Sequence, residues 1–223
     1  RAIGAELLGK VEFLNPAGSL KDRVALALVV DAEASGRVRP GGVLVEATAG
    51  NTGSGLALVA AARGYRFVAV RTGADRGPKS EFMEAMGAEV VFTTPGRPWD
   101  GPDGPLGVAE RLSAERGGVF LNQFANPANP RIHESTTAVE IAEAVGDLLD
   151  VVVVGVGTGG TATGIARGLE TRLPRVRVVG VSAEGSYLGS GKAGDRIAGI
   201  TPDFEPRTFE RSRLHGMETV TAE

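Results

Sequence analysis

Val151-Val-Val-Val-Gly155-Val-Gly157-Thr158-Gly159-Gly160-Thr161 is the stretch that sets the fold. Four consecutive valines suit a strand buried on both faces. Glycines break the strand, and a helix is predicted over 160–172. The turn between them is built for an anion. It has a helix N-terminus with free backbone N–H groups, glycines that let a ligand approach them, and two threonine hydroxyls. No Lys-Ser or Lys-Thr pair closes it, so it is not a Walker loop. Gly155, Gly157 and Gly160 do match the dinucleotide fingerprint, and Glu184 follows the next strand, where a ribose-binding carboxylate would stand. This loop alone leaves both phosphate binding and NAD binding open.

The same alternation runs outward along the chain. Strands are predicted over 7–14, 43–46, 66–70, 89–93, 119–124 and 176–181. Helices are predicted over 22–35, 52–63, 79–86, 107–116 and 132–145, with Gly36, Gly64 and Gly87 as stops. Residues 95–105 carry four Pro and three Gly around Trp99 and read as a loop anchored by the tryptophan. Residues 126–130 read as a turn, and the pattern weakens after Glu184. Strand-helix alternation of this kind gives an α/β fold with mainly parallel sheets. The organisation expected is a larger domain over 1–47 and 93–223 and a smaller mobile lobe over 48–92.

Composition removes several function classes. The 223 residues carry a formal net charge of −3 with both signs interspersed, so no basic stripe points to nucleic acid or an anionic membrane. No apolar run reaches membrane-spanning length. Cysteine is absent, which removes thiolate chemistry, and the two histidines, His133 and His215, are too far apart to suggest a metal site. The composition fits a soluble protein of a reducing compartment.

Two further loops share the strand-loop-helix context. Glu46-Ala-Thr48-Ala49-Gly50-Asn51-Thr52-Gly53 follows a strand and opens a helix, where free N–H groups favour a carboxylate. The same residues would also serve as an ordinary capped turn. Asn15-Pro-Ala-Gly-Ser-Leu-Lys21-Asp-Arg23 places a lysine at the start of an apolar helix, with Ser19 and Asp22 as a capping box. The positive end of the helix dipole disfavours the ammonium form of Lys21. A lysine that loses its proton easily is a nucleophile suited to a carbonyl cofactor.

With NPAGSLKDR, TAGNTG and GVGTGGT in this order, the chain resembles pyridoxal-phosphate enzymes of the tryptophan-synthase-β fold type, in the cysteine synthase and cystathionine β-synthase branch. Residues 122–130 and 133–141 are similar to that branch as well. The resemblance implies pyridoxal 5'-phosphate as cofactor. Lys21 would form the internal aldimine and shuttle the α-proton, and Asn51 would bond the cofactor's 3′ oxygen. Gly157, Thr158, Gly159, Gly160 and Thr161 would cradle its phosphate. Thr48, Ala49, Gly50, Thr52 and Gln123 would surround the substrate carboxylate, with Gly199 near the bound amino acid. The activity implied is β-replacement on an activated serine such as O-acetylserine, through an aminoacrylate and with a sulfur nucleophile. Serine plus homocysteine is the alternative within the branch; outside it stand an NAD-binding dehydrogenase and a non-catalytic homologue. A cytoplasmic homodimer is implied, acting on small amino acids and not on nucleic acid or membrane, with no metal.

The chain departs from the branch in four places. Ala49 stands where the family usually has serine, and Gly73 to Ser80 replaces its Met-Ser element. The serine-containing turn that faces the pyridine nitrogen is missing, as is a segment before Arg1, so the chain is expected to be part of a longer protein. His133 is expected at an exposed helix start and not as a base, Arg23 as a support near Lys21, and 81–89 as a solvated helix face.

Overall fold

Two alternating faces of one parallel sheet organise the first half of the chain. The structure is a computed structural model that describes residues 4–48, 50–73, 76–189 and 196–222. The expectations for Ala49 therefore lie outside the described residues. Strand β1 (Val43–Ala47) pairs in parallel with β2 (Arg66–Thr72) and with β4 (Val119–Phe120), and β3 (Glu89–Thr93) extends the sheet beyond β2. Successive side chains of a strand point to opposite faces. Leu44, Phe67 and Ala69 accordingly join one core with α1 (Lys21–Ala34), α2 (Asn51–Arg63) and Met83 of α3 (Pro78–Ala85). Val43, Val45, Ala47, Val68 and Val70 join a second core with α4 (Pro105–Glu115) and Trp99. Helices thus cover both faces, and Trp99 does anchor its loop, lying edge-on to Phe124 at 5.9 Å.

A second parallel sheet, ordered β5 (Val151–Gly155), β6 (Arg177–Ala183), β7 (Gly216–Val220), packs on α6 (Ala138–Val145) and α7 (Gly160–Arg172). The helix α7 has the bounds that its sequence predicts. Gly164 and Gly168, one turn apart, bring it against Pro130, His133 and Ala138, where a Cβ at either glycine would overlap its neighbours.

Several expectations are overturned. Residues 7–14 form no strand: a short 3-10 turn (Glu12–Leu14) ends the segment, and Leu7, Phe13 and Leu14 are exposed. Apolar content raises strand propensity, but no described strand lies beside this segment to pair with it. The valine strand β5 is not buried on both faces: Val152 and Val154 pack against the core on one face, while Val153 on the other is 66% exposed. The strand expected over 119–124 stops at Phe120, and the turn expected at 126–130 already contains the start of α5 (Ala128–Ile132). The helix expected over 132–145 is interrupted by a π-helical turn (His133–Thr137). Strand β7 is absent from the sequence reading.

Candidate active site

The three loops sit at the carboxyl ends of parallel strands or at the helix starts beside them, the usual place for ligands in open α/β sheets. Lys21 is the first residue of α1. The expected capping box does not form, because Leu20 is the residue before the helix: Ser19 Oγ accepts from the Lys21 N–H at 3.2 Å, and Asp22 reaches further back and accepts from the Ala17 N–H at 2.6 Å. Gly55 lets this turn press on α2, since a Cβ there would lie 3.0 Å from Ala25 Cβ and 3.2 Å from the Lys21 carbonyl oxygen. Lys21 makes no ion pair among the described residues. The residue as a whole keeps some solvent contact, but burial of its ammonium pushes the pKa down to about 8. Desolvation disfavours the charged ammonium, in the same direction as the helix dipole at this position. Arg23 supports this turn as expected, held by Glu12 at 3.0 Å and Glu140 at 2.6 Å.

The carboxylate loop links β1 to α2. Thr48 Oγ1 accepts from the N–H groups of Gly53 at 3.0 Å and Gly50 at 3.2 Å. It therefore caps the turn while lining it. Thr52 Oγ1 donates to Gln123 Oε1 at 2.5 Å, and Gln123 Nε2 donates to the Ala47 carbonyl at 2.9 Å. Asn51 is exposed at the loop. The structure thus brings Thr48, Gly50, Thr52 and Gln123 together, as expected.

The phosphate loop leads into α7. Gly159 has φ +80 and precedes Gly160, the first helical residue, so the open N–H groups gather at one end of the helix. Thr158 and Thr161 are buried there. Gly199, at φ +90, lies beside it: a Cβ on Gly157 would overlap the Gly199 carbonyl oxygen.

Three residues that the sequence reading left aside knit these loops. Asn129, fully buried, donates from Nδ2 to the Gln123 carbonyl at 2.8 Å and to Thr158 Oγ1 at 3.0 Å. It ties the carboxylate side to the phosphate side. His133 is fully buried and not exposed as expected. Its Nδ1 meets Thr137 Oγ1 at 2.9 Å and its Nε2 meets Thr161 Oγ1 at 3.2 Å. Burial, then the charges of Lys21 and Arg23, push its pKa down to about 3, so the ring is neutral at pH 7 and fixes the Thr161 hydroxyl. Glu46 is fully buried at the end of β1. Its Oε2 accepts from the Gln123 N–H at 3.1 Å and its Oε1 has no partner. Burial pushes its pKa up to about 8. Glutamate in a valine-rich strand was the available sequence signal for it.

The cradle fits a phosphate, and the site fits a carbonyl cofactor. One buried amine can be neutral, and one glycine-rich helix start offers open N–H groups beside two buried threonine hydroxyls.

Similarity to known proteins separates the phosphate reading of the glycine loop from the dinucleotide one. Residues 1–222 match the family model described as pyridoxal-phosphate dependent enzyme. The chain belongs to this family. It is 41% identical over 213 residues to a cystathionine beta-synthase of Dictyostelium discoideum, covering 92% of this chain and 43% of that one. It is 42% identical over 214 residues to an O-ureido-L-serine synthase of Streptomyces lavendulae, covering 95% of this chain and 65% of the relative. The crystal structure of an O-ureido-L-serine synthase superposes with a TM-score of 0.88 at 41% identity, covering 95% of this chain and 67% of that chain. The chain thus spans about two fifths to two thirds of the length of these curated relatives. The dinucleotide reading of the glycine loop is set aside. In this family's terms, Lys21 would hold the cofactor's carbonyl carbon and the Gly157–Thr161 loop its phosphate.

A side chain at Gly159 is expected to break this cradle. Valine there would have to hold φ +80, strained for a β-branched residue by roughly 1–3 kcal/mol. Its Cβ would also fall on Phe209, whose Cα lies 2.7 Å from the position. Gly159→Val should lose pyridoxal phosphate on dialysis and lower the Tm, read by cofactor absorbance and calorimetry. Full retention at an unchanged Tm would take the phosphate away from this loop.

Proposed function

We propose that the whole protein catalyses β-replacement on an activated serine of the O-acetylserine kind, in the manner of a cysteine synthase. The observation that carries this reading is the junction of the carboxylate loop and the phosphate cradle through Gln123 and Asn129, in a chain whose helix-start lysine has its pKa lowered to about 8. Pyridoxal phosphate, when bound, supplies the electron sink for loss of the substrate's α-proton. Lys21, neutral in part at pH 8, is the base placed to take that proton and return it. The Thr48–Thr52 loop holds the amino acid's carboxylate and fixes its orientation, and Asn51 lies at the same loop to meet the cofactor ring. The segment 48–92 would act as the lobe that carries this loop over the site.

The 41% identity to a cystathionine beta-synthase favours a second reading, in which serine and homocysteine are the substrates. The two part on a simple assay of the full-length protein loaded with cofactor. O-acetylserine with sulfide should give cysteine; turnover only of serine with homocysteine would establish the second reading. A loaded protein whose spectrum no amino acid perturbs would leave a binding role instead. We read the protein as a cytoplasmic homodimer. The cysteine-free composition supports the compartment, and exposed Leu7, Phe13 and Leu14 support self-association. No described helix is long and apolar enough to cross a membrane.

A further inference from the structure

The first turn of α3 lays a cation across the carboxylate loop. A Cβ placed on Gly50 would lie 3.0 Å from both Lys79 Nζ and Lys79 Cδ, so the end of this side chain covers the open face of that glycine. Lys79 pairs with no described carboxylate; the nearby Glu84 is held by Arg76 at 3.2 Å. A second unpaired cation stands behind it. Arg71, at the end of β2, donates to the fully buried Ser80 Oγ beside Lys79, and its Nε is buried without a partner. Both charges gather near the N-terminus of α2, whose dipole is also positive. Among the described residues neither side chain has a carboxylate partner, so an anion at this loop would relieve the repulsion between these positive features.

Several neutral donors of the loop are committed, while the Asn51 and Thr52 N–H groups at the start of α2 stay open. Thr52 spends its proton on Gln123 Oε1, and Gln123 spends one amide proton on the Ala47 carbonyl. The Gly50 and Gly53 N–H groups donate to Thr48. Ala49 offers no side-chain donor. From this geometry we propose that Lys79 is a ligand of the substrate's carboxylate, with Arg71 positioning it through Ser80, so that the site selects amino acids with a charged carboxylate over neutral analogues. This rests on the functional reading above and adds a specificity residue to it.

The test compares L-serine with L-serinamide, titrated by the absorbance of the cofactor-loaded full-length protein and by calorimetry. The carboxylate ligand should weaken about tenfold or more in Lys79→Met, since a hydrogen bond to a charged group is involved, while the amide changes little. Lys79→Arg should restore most of the preference, and Arg71→Met should erode it in part. Wild-type affinity for serine should fall as salt rises. An unchanged carboxylate-to-amide ratio in Lys79→Met overturns the proposal, as does an equal loss for both ligands, which would mark a structural role. A wild-type protein that takes up no pyridoxal phosphate overturns the functional reading and this one with it.

Discussion

Replacing Lys21 by alanine is expected to abolish covalent retention of pyridoxal phosphate and to lower turnover by roughly 10³-fold or more, the scale of losing a positioned acid–base group. Borohydride treatment of the wild-type protein should fix the cofactor to the peptide that contains Lys21 and to no other lysine. The effect should be large because no other described lysine has its surroundings. Lys79 is exposed, and Lys10 is tied to Glu140 at 2.6 Å. Lys21 instead has no acidic partner among the described residues, and burial lowers its proton affinity.

That cause gives a pH dependence as well. With a pKa of about 8, about half of the Lys21 side chains are neutral at pH 8, against roughly 0.3% for a lysine at 10.5. Reconstitution of the apoprotein should therefore accelerate with pH around a midpoint near 8 and flatten above it. A midpoint near 10.5 would mean that the amine is solvated in the apoprotein. Labelling at a different lysine would move the reacting centre away from α1.

How much of this could be read from the sequence follows from which interactions are local. Helix α7 has its predicted bounds because glycines before it and a charged end close it locally. The three loops were legible for the same reason: glycine, threonine and a helix start are neighbours in sequence. Residues that join the loops were not legible. Asn129 read as a turn residue, yet its value lies in reaching Gln123 and Thr158, partners 6 and 29 positions away. His133 sits where a regular helix would have faced water, and the π-helical turn together with the glycine face of α7 buries it instead. Strand β7 pairs with a strand more than thirty residues earlier, and its Met and Thr side chains carry little periodic signal of their own. Residues 7–14 failed in the opposite sense, since apolar composition suggested a strand that needs a partner to exist.

Glu46 is expected to make stability depend on pH in the reverse sense to most carboxylates. Its folded pKa, about 8, lies above the ordinary value of 4.5 because the side chain is fully buried, a penalty that its hydrogen bonds, the Gln123 N–H on Oε2 first among them, offset only in part. Between these values the folded state binds more protons than the unfolded one, so the slope of unfolding free energy with pH is negative. The contribution is fully present below about pH 4.5 and is lost as pH rises through 8. Each pK unit is worth about 1.4 kcal/mol, so the wild type should lose a few kcal/mol relative to Glu46→Gln across that window. His133 acts in the opposite direction and at lower pH, because its folded pKa is depressed: its share is present above 6.5 and lost as pH falls toward 3. The two therefore separate only in a difference curve, wild type minus Glu46→Gln, measured by denaturant unfolding from pH 5 to 9. A flat difference would mean that the carboxyl ionises freely, with water reaching Oε1. Glu46→Ala is the harsher change. It leaves a cavity and strips the Gln123 N–H of its acceptor, at a cost of about 2–4 kcal/mol. Because Gln123 also receives Thr52 and, through its carbonyl, Asn129, that loss should spread to both loops. Glu46→Ala should then weaken substrate and cofactor together, whereas Glu46→Gln, which keeps the acceptor, should spare both near pH 7.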